Sequence, residues 1–228
     1  MTTPEAQYRT FRFISAISWL LVTSTLAAHA AAGDIVLYAS KATRKGTWSL
    51  ITDSSAAGGS GVRNTDAGGK TVAPALANPA NYFELQFPAN GMVPYRLWIR
   101  GKATGNSINN DSVWVQFSDS VSSAGMPLNR IGTTQGVTVS LQSCTNGVIH
   151  NWGWTDNGWC GLGSRMFFQS TGTHTIRVQV REDGFMIDQI VLSPVTYLST
   201  APGKLSDGSQ QPWWSRIILA IKPATSRR

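Results

Sequence analysis

Apolar and polar residues alternate along much of this chain, and no stretch shows the three-to-four residue spacing of an amphipathic helix. Alternation with a period of two places every second side chain on one face, as in a strand that is buried on one side only. The Asp-Gly pair at 183–184 separates two such runs, which predicts a β-hairpin. The predicted strands are 34–38, 82–87, 95–100, 113–117, 175–181 and 185–192.

Segments rich in Gly, Ser, Asn and Pro lie at 53–70, 101–112 and 118–136, and their composition predicts linkers between strands. Many short strands joined by such loops are typical of all-β folds. The sequence therefore predicts an antiparallel β-sandwich or jelly roll, formed by one domain over residues 31–200.

The first thirty residues have the organisation of a secretory signal peptide. Two arginines precede an uncharged apolar run at 13–28, which ends at the small residue Ala28, and Ala30 follows two positions later. The alternative is an uncleaved membrane anchor, but the run is short of the roughly 20 apolar residues that span a bilayer. We expect residues 1–30 to be removed and the protein to be secreted, either extracellular or periplasmic.

Composition and charge exclude two other classes. Only 14% of the 228 residues are charged and 42% are hydrophobic, the opposite of a disordered chain. The formal charge is +7, but residues 31–200 hold 12 basic and 10 acidic residues, so the excess lies mainly in the tail, 201–228. The charge therefore predicts no nucleic-acid partner. The basic tail is expected to be disordered, with an interfacial membrane anchor as the alternative.

The sequence contains no motif that indicates catalysis. Outside the leader the only histidines are His150 and His174, and no nucleophile-elbow or phosphate-loop spacing occurs. The alternative is a glycan hydrolase or lyase, because such chemistry needs only two carboxylates about 5–10 Å apart.

Three tryptophans fall within nine residues of a Gly- and Asn-rich segment, at Trp152, Trp154 and Trp159. Indole faces suit the apolar faces of sugar rings, and the neighbouring Asp156 and Asn157 can bond to hydroxyl groups. The alternative for each tryptophan is packing in the core. The segment predicts a carbohydrate-binding loop.

A second aromatic group is formed by Trp98 and Trp114, each on the polar face of its predicted strand, with Arg100 beside the first. If their strands are neighbours, they form one aromatic–arginine platform. The alternative is that a loop or arginine stems cover these rings.

Asp188 is predicted to share a strand face with apolar residues, so it must be hydrogen-bonded, paired or bound to a metal such as calcium. The two cysteines, Cys144 and Cys160, would form a disulfide in a secreted protein and clip the Trp-rich loop. The alternative is two unpaired thiols.

Four stretches, 110–117, 152–154, 172–177 and 181–193, occur in an order that resembles non-catalytic carbohydrate-binding modules of families 6 and 35. The resemblance covers about 34–197. It implies a galactose-binding-like β-sandwich that binds glycans with loops at one end, often with a structural calcium ion.

Residue by residue, the resemblance implies that Asn110 and Asp111 lie near the glycan loops and that Asp188 is a calcium ligand. The chain departs from the family at 38–40, where it has Tyr-Ala-Ser in place of a Glu-x-Glu pair that helps to hold calcium in the family.

The sequence thus predicts a secreted, monomeric, non-enzymatic domain that binds a polysaccharide; an adhesion domain that binds protein is a further alternative. The candidate carbohydrate-binding residues are Arg100, Asn110, Asp111, Trp114, Trp152, Trp154, Asp156, Asn157 and Trp159.

Overall fold

The computed structural model describes residues 33–142, 144, 147–203 and 205. The predicted leader, 1–30, lies outside the described residues, as does most of the tail, 201–228. No helix in the described part is long and apolar enough to cross a membrane. The strands are β1 Ile35–Tyr38, β2 Thr43–Lys45, β3 Trp48–Thr52, β4 Ser60–Asn64, β5 Tyr82–Ala89, β6 Arg96–Ala103, β7 Ser112–Phe117, β8 Ser120–Val121, β9 Val137–Ser140, β10 Gly153–Thr155, β11 Phe167–Phe168, β12 Gly172–Val180 and β13 Phe185–Ser193, with single 3-10 turns at Ala39–Lys41, Ala57–Gly59 and Thr104–Asn106.

The strands form two main sheets. Sheet A has the order β10-β6-β13-β4-β3, with β1 also paired to β13, and sheet B has the order β2-β5-β12-β7-β9. A two-stranded sheet joins β8 and β11. All pairings between these strands are antiparallel, which confirms the predicted all-β class.

The core lies between the sheets, because each long strand turns alternate side chains inward. Phe83 and Phe87 of sheet B and Leu97 and Ile99 of sheet A are almost fully buried in one cluster. Burying such a side chain contributes about 1.5–3 kcal/mol. The alternating apolar residues of the predicted strands 82–87 and 95–100 therefore lie in the core.

The linker predicted at 53–70 is partly wrong, because it contains β4. Gly61 explains why this strand fits beside β13: a Cβ at Gly61 would lie 2.7 Å from the carbonyl oxygen of Ile187. Two strands can approach that closely only where the side chain is absent. The glycines that suggested a loop therefore permit strand pairing here.

The outer surface of sheet A around Trp98 is covered by the chain that follows β13. The Trp98 Nε1 donates a hydrogen bond to the Tyr197 carbonyl oxygen at 2.8 Å, and Arg96 Nε donates to that of Leu198. Further on, Gln189 exchanges hydrogen bonds with the backbone of Leu205. Trp98 is consequently only 6% exposed.

The outer surface of sheet B around Trp114 is covered in the same way by a preceding loop. Trp114 Nε1 donates to the Val72 carbonyl oxygen at 2.7 Å, and Gln179 bonds to both backbone groups of Leu76. Trp98 and Trp114 lie in different sheets, so the prediction of one shared aromatic–arginine platform is wrong. Because both strand faces are covered at their tryptophans, the more accessible aromatic surface is in the loops.

Candidate functional site

The Trp-rich segment begins on an edge strand of sheet A. In β10, Trp154 lies opposite Arg100 of β6, whose side chain points away from the core. Alternate residues of an extended segment share a side, so Trp152 projects outward as well. Both residues are partly exposed, although the Trp154 Nε1 atom itself is buried and has no hydrogen-bond partner. Edge-strand geometry thus presents two neighbouring aromatic rings on one surface.

Trp152 is held in place from two directions. Its Nε1 donates a hydrogen bond to Asp53 Oδ2 at 3.0 Å, and the Arg100 guanidinium lies 5.5 Å from the ring centroid. Hydrogen bonds from Ser55, and then from Trp152, lower the pKa of Asp53 to about 2. Asp53 is therefore an ionised acceptor at neutral pH, and the orientation of the indole is fixed.

Trp159 is the most exposed tryptophan in the described part of the chain, at 58%. The next residue, Cys160, forms a disulfide with Cys144, their Cα atoms 5.0 Å apart. The predicted cysteine pairing is therefore confirmed. The disulfide ties the loop that carries Trp159 to the chain beyond β9, so the exposed ring sits on a restrained support.

Asp156 organises the turn around Trp159 instead of facing solvent. Its carboxylate accepts hydrogen bonds from the backbone N–H groups of Gly158 and Gly163, and Arg96 Nη1 lies 3.2 Å from Oδ2. The turn is tight, since a Cβ at Gly158 would meet the Gly161 carbonyl oxygen at 1.9 Å. Asn157 Nδ2 donates to the Ser164 carbonyl oxygen across the same turn.

Asn110 and Asp111 lie just before β7, and both are buried. Asn110 Nδ2 donates to Asp66 Oδ2 at 3.0 Å and to the Thr104 carbonyl oxygen at 3.2 Å. Asp111 Oδ1 accepts a hydrogen bond from Ser140 Oγ at 3.0 Å, while Oδ2 has no partner. These two predicted site residues therefore stabilise the loops at this end of the sandwich from within.

Asp111 and Glu182 form a pair of buried acids. Burial and the neighbouring charge of Glu182 raise the pKa of Asp111 to about 7, whereas Glu182 accepts hydrogen bonds from Ser112 Oγ and Arg181. A proton on Asp111 Oδ2 would give that atom a donor role toward Glu182. The pair is closed to solvent, not open across a cleft.

The other acids of the described residues also have internal partners. Together with Asp111 and Glu182, all ten carboxylates between 33 and 200 make a hydrogen bond or an ion pair. The remaining eight and their partners are Asp34 with Ser193, Asp53 with Trp152, Asp66 with Asn110, Glu84 with Arg177, Asp119 with His174, Asp156 with Arg96, Asp183 with the backbone of 67 and 69, and Asp188 with Arg100.

His174 is a core residue. It is 2% exposed, its Nδ1 lies 2.5 Å from Asp119 Oδ1, and its ring stacks on Phe168 with centroids 4.6 Å apart. Its Nε2 lies 3.4 Å from the Ala89 carbonyl oxygen. Both ring nitrogens therefore face internal partners within the fold.

Asp188 lies at a register shift between Ile187 and Gln189, and this β-bulge changes the phase of the strand. Ile187 and Ile190 both enter the core, so the face predicted for Asp188 is wrong. Its fully buried carboxylate accepts hydrogen bonds from Ala57 N–H at 2.6 Å and from Arg100 Nη1. Burial raises its pKa, and these two contacts oppose the rise.

These contacts do not fit the calcium site implied by the family resemblance. The Arg100 guanidinium lies against the Asp188 carboxylate, and the described residues contain no cluster of three or more His, Cys, Asp or Glu that could hold a metal ion. Calcium prefers six to eight oxygen ligands. Arg100 supplies the compensating positive charge instead, and it is itself nearly buried by that role.

The structure thus divides the predicted site residues into two groups. Trp152, Trp154 and Trp159 share one segment with Asp156 and Asn157, beside Arg100. Asn110, Asp111 and Trp114 belong to the region of β7 in sheet B. Trp114 is partly buried, with the Arg181 guanidinium 5.9 Å from its ring centroid.

Two residues that shape the site were not among the candidates. Asp53 lies in the segment predicted to be a linker, and Arg96 lies in the predicted strand 95–100. Their partners, Trp152 and Asp156, are 99 and 60 residues away along the chain. Local sequence patterns carry no signal for such pairs.

No protein-family model and no curated protein sequence matches the chain. Similar solved structures include a β-(1,4)-mannanase from Podospora anserina, with family 26 hydrolase and family 35 binding modules, at 14% identity and a TM-score of 0.47 over 75% of this chain. This chain spans only 28% of that enzyme's length.

Two isolated modules are similar over nearly their whole length. A family 35 carbohydrate-binding module from Clostridium thermocellum is 13% identical (TM-score 0.41, 71% of this chain and 98% of the module). The C-terminal family 6 module of a Zobellia galactanivorans laminarinase is 16% identical (TM-score 0.41, 71% and 99%). The matches include both families that the sequence resembles, and at these identities they say nothing about site residues.

Proposed function

We propose that this chain is a secreted, non-catalytic carbohydrate-binding domain whose glycan contacts are made by Trp152, Trp154 and Trp159. The observation that carries the proposal is the fixed presentation of these rings. Trp152 is restrained by Asp53 and Arg100, and Trp159 is exposed on a disulfide-linked loop.

Restrained aromatic rings suit the recognition of sugars. A large apolar surface that is already ordered binds a ligand with less loss of side-chain entropy, which costs about 0.5–1.5 kcal/mol per immobilised side chain. The indole faces can stack on the C–H faces of pyranose rings, while polar groups beside them bond to hydroxyls.

The non-catalytic part of the proposal is supported by the carboxylates. Glycoside hydrolysis needs one acid to donate a proton and a second to act as a base or nucleophile. The ten acids between 33 and 200 each have an internal partner, and the neighbouring acids Asp111 and Glu182 are both buried. Secretion is supported by the disulfide, since such bonds persist mainly in oxidising compartments.

Affinity gel electrophoresis against a panel of soluble polysaccharides tests the proposal. We expect at least one polysaccharide to retard the parent protein and the Trp159→Ala variant to be retarded at least tenfold less. Met126→Ala is the matched control, because Met126 is also an exposed apolar residue, at 66% against 58% for Trp159, on a different loop. No retardation by any polysaccharide, or equal loss in both variants, would contradict the proposal.

A further inference from the structure

β3 is an unprotected edge of sheet A. In the described chain, the strands of the two main sheets that are paired on one side only are β1, β2, β3, β9 and β10, and β3 is the longest of them, with five residues. Only β2 and β3 in this set contain exposed residues. Arg44 and Lys45 charge the edge of β2, whereas no residue of β3, Trp48–Thr52, is charged. Charged side chains are a usual protection of an exposed edge against pairing with another chain.

The backbone groups of Leu50 and Thr52 point away from the sheet. β3 is antiparallel to β4, and in the same register the Asp53 N–H donates to the Gly59 carbonyl oxygen at 3.1 Å. Hydrogen-bonded pairs alternate with non-bonded pairs in an antiparallel ladder. Positions 49, 51 and 53 therefore bond toward β4, while Leu50 and Thr52 turn their N–H and carbonyl groups outward. No other described residue is hydrogen-bonded to these groups.

Leu50 adds an exposed apolar side chain to this edge. It shares a strand face with Trp48, because alternate residues of a strand point to the same side. Trp48 is 4% exposed and packs edge-on against Phe83, with 4.9 Å between the ring centroids, whereas Leu50 is 53% exposed. The core therefore ends between these two residues of β3, and Leu50 extends the apolar face of sheet A beyond it.

The two ends of β3 carry opposite charges. Arg44 and Lys45 come shortly before it, and Asp53 follows it directly. Hydrogen bonds from Ser55 hold the pKa of Asp53 at about 2, so this acid is ionised at neutral pH. An antiparallel copy of the strand, centred on Leu50, would place position 47 of each copy opposite Asp53 of the other. The basic end of each strand would then approach the acidic end of its partner, whereas a parallel copy would bring like charges together.

From this uncharged edge with oppositely charged ends, we infer that two copies of the chain associate through β3, in a two-fold dimer that pairs Leu50 with Leu50 of the second copy. The backbone groups of Leu50 bond to those of its counterpart, and those of Thr52 bond to Trp48 of the second copy. The two leucine side chains cover each other. An edge of five residues is a small interface, so the dimer is weak and concentration-dependent. It replaces the monomer predicted from the sequence.

Such a dimer has a consequence for glycan binding, which rests on the proposed function. A two-fold axis that relates antiparallel strands of one sheet is perpendicular to that sheet, so both copies turn the same face to one side. Trp152 lies beside Arg100 on the outer surface of sheet A. Two glycan sites would then face the same polymer, and two linked sites hold a polymer more tightly than either site alone.

Sedimentation velocity over a range of protein concentrations tests the dimer, using Leu50→Lys, Leu50→Glu and Met126→Lys. Met126 is the matched control, because it is an exposed apolar residue, at 66%, outside the strands. We expect the parent and Met126→Lys to dimerise equally, and each Leu50 variant alone to dimerise at least tenfold more weakly. Because position 50 faces itself across the axis, an equimolar mixture of Leu50→Lys and Leu50→Glu should regain the dimer. Thermal melting of each variant checks that it is folded.

Three results would overturn the inference: a parent that sediments as a monomer at every concentration, Leu50 variants that dimerise as the parent does, or a mixture of the two variants that stays monomeric. Polysaccharide gels separate the dimer from the proposed function. A dimeric parent that no polysaccharide retards would contradict the proposed function alone, and a monomeric parent that is retarded would contradict the dimer alone. Where both hold, Leu50→Lys should be retarded less than Met126→Lys.

Discussion

Replacing Asp111 by Asn should stabilise the protein at alkaline pH and leave its stability almost unchanged at acidic pH. In the folded state burial, followed by the charge of Glu182, raises the pKa of Asp111 to about 7, from an ordinary value of 3.8. The folded protein therefore binds more protons than the unfolded chain between these values, so stability falls as pH rises from about 4 to about 7.

The magnitude follows from the size of the shift. Each pKa unit corresponds to about 1.4 kcal/mol, so ionising Asp111 in the fold costs up to about 4 kcal/mol above pH 7. Asparagine has the shape of the protonated acid. It keeps an acceptor for Ser140 Oγ and gains an amide donor toward Glu182 in place of the proton.

Urea unfolding of the parent and Asp111→Asn at pH 4, 6 and 8 measures this effect. We expect the variant to be more stable by about 2–4 kcal/mol at pH 8 and equal to the parent within about 1 kcal/mol at pH 4. A variant that is less stable than the parent at all three pH values would refute the assignment of the proton to Asp111.

Three further predictions concern the supports of the site. Chelation with EDTA should leave the melting temperature unchanged, and a melting temperature that falls with EDTA and recovers with calcium would contradict this expectation. Arg100→Met should lower the free energy of unfolding by about 3–5 kcal/mol, because it leaves the buried Asp188 carboxylate without its cation. Replacing both cysteines by serine should lower the free energy of unfolding by about 3 kcal/mol, since the disulfide closes a 16-residue separation, and weaken glycan retardation; an unchanged urea midpoint would oppose it. Asp53→Ala should weaken glycan retardation about threefold to tenfold, because the indole of Trp152 loses the hydrogen bond that orients it. The near-UV spectrum should remain that of the folded protein. Retardation equal to the parent's would mean that this hydrogen bond does not order the site.

The long central strands could be predicted from the sequence because their pattern is local. In 95–100, alternation places Leu97 and Ile99 inward, and both are fully buried. β4 was missed because its glycine is required by the close approach of β13, a tertiary contact. The position of Asp188 was wrong for a related reason, since a β-bulge at that residue changes which side chains face the core.

The candidate site could be predicted only in part. The Trp-rich segment is visible in the sequence, and the structure places one of its rings, Trp159, in solvent. The role of Asp53 depends on a contact across the fold, because its partner Trp152 is 99 residues away along the chain. Local patterns therefore identified the aromatic residues but not the side chains that orient them.

The most direct test of carbohydrate binding by the loop tryptophans is the indole N–H spectrum of the protein labelled with ¹⁵N-tryptophan. The spectrum would be recorded with and without an oligosaccharide of the polysaccharide that retards the parent protein. Signals of Trp152, Trp154 and Trp159 should shift, while those of Trp48, Trp98 and Trp114 stay in place. Shifts confined to Trp114, or none at the three loop tryptophans, would contradict the proposed site.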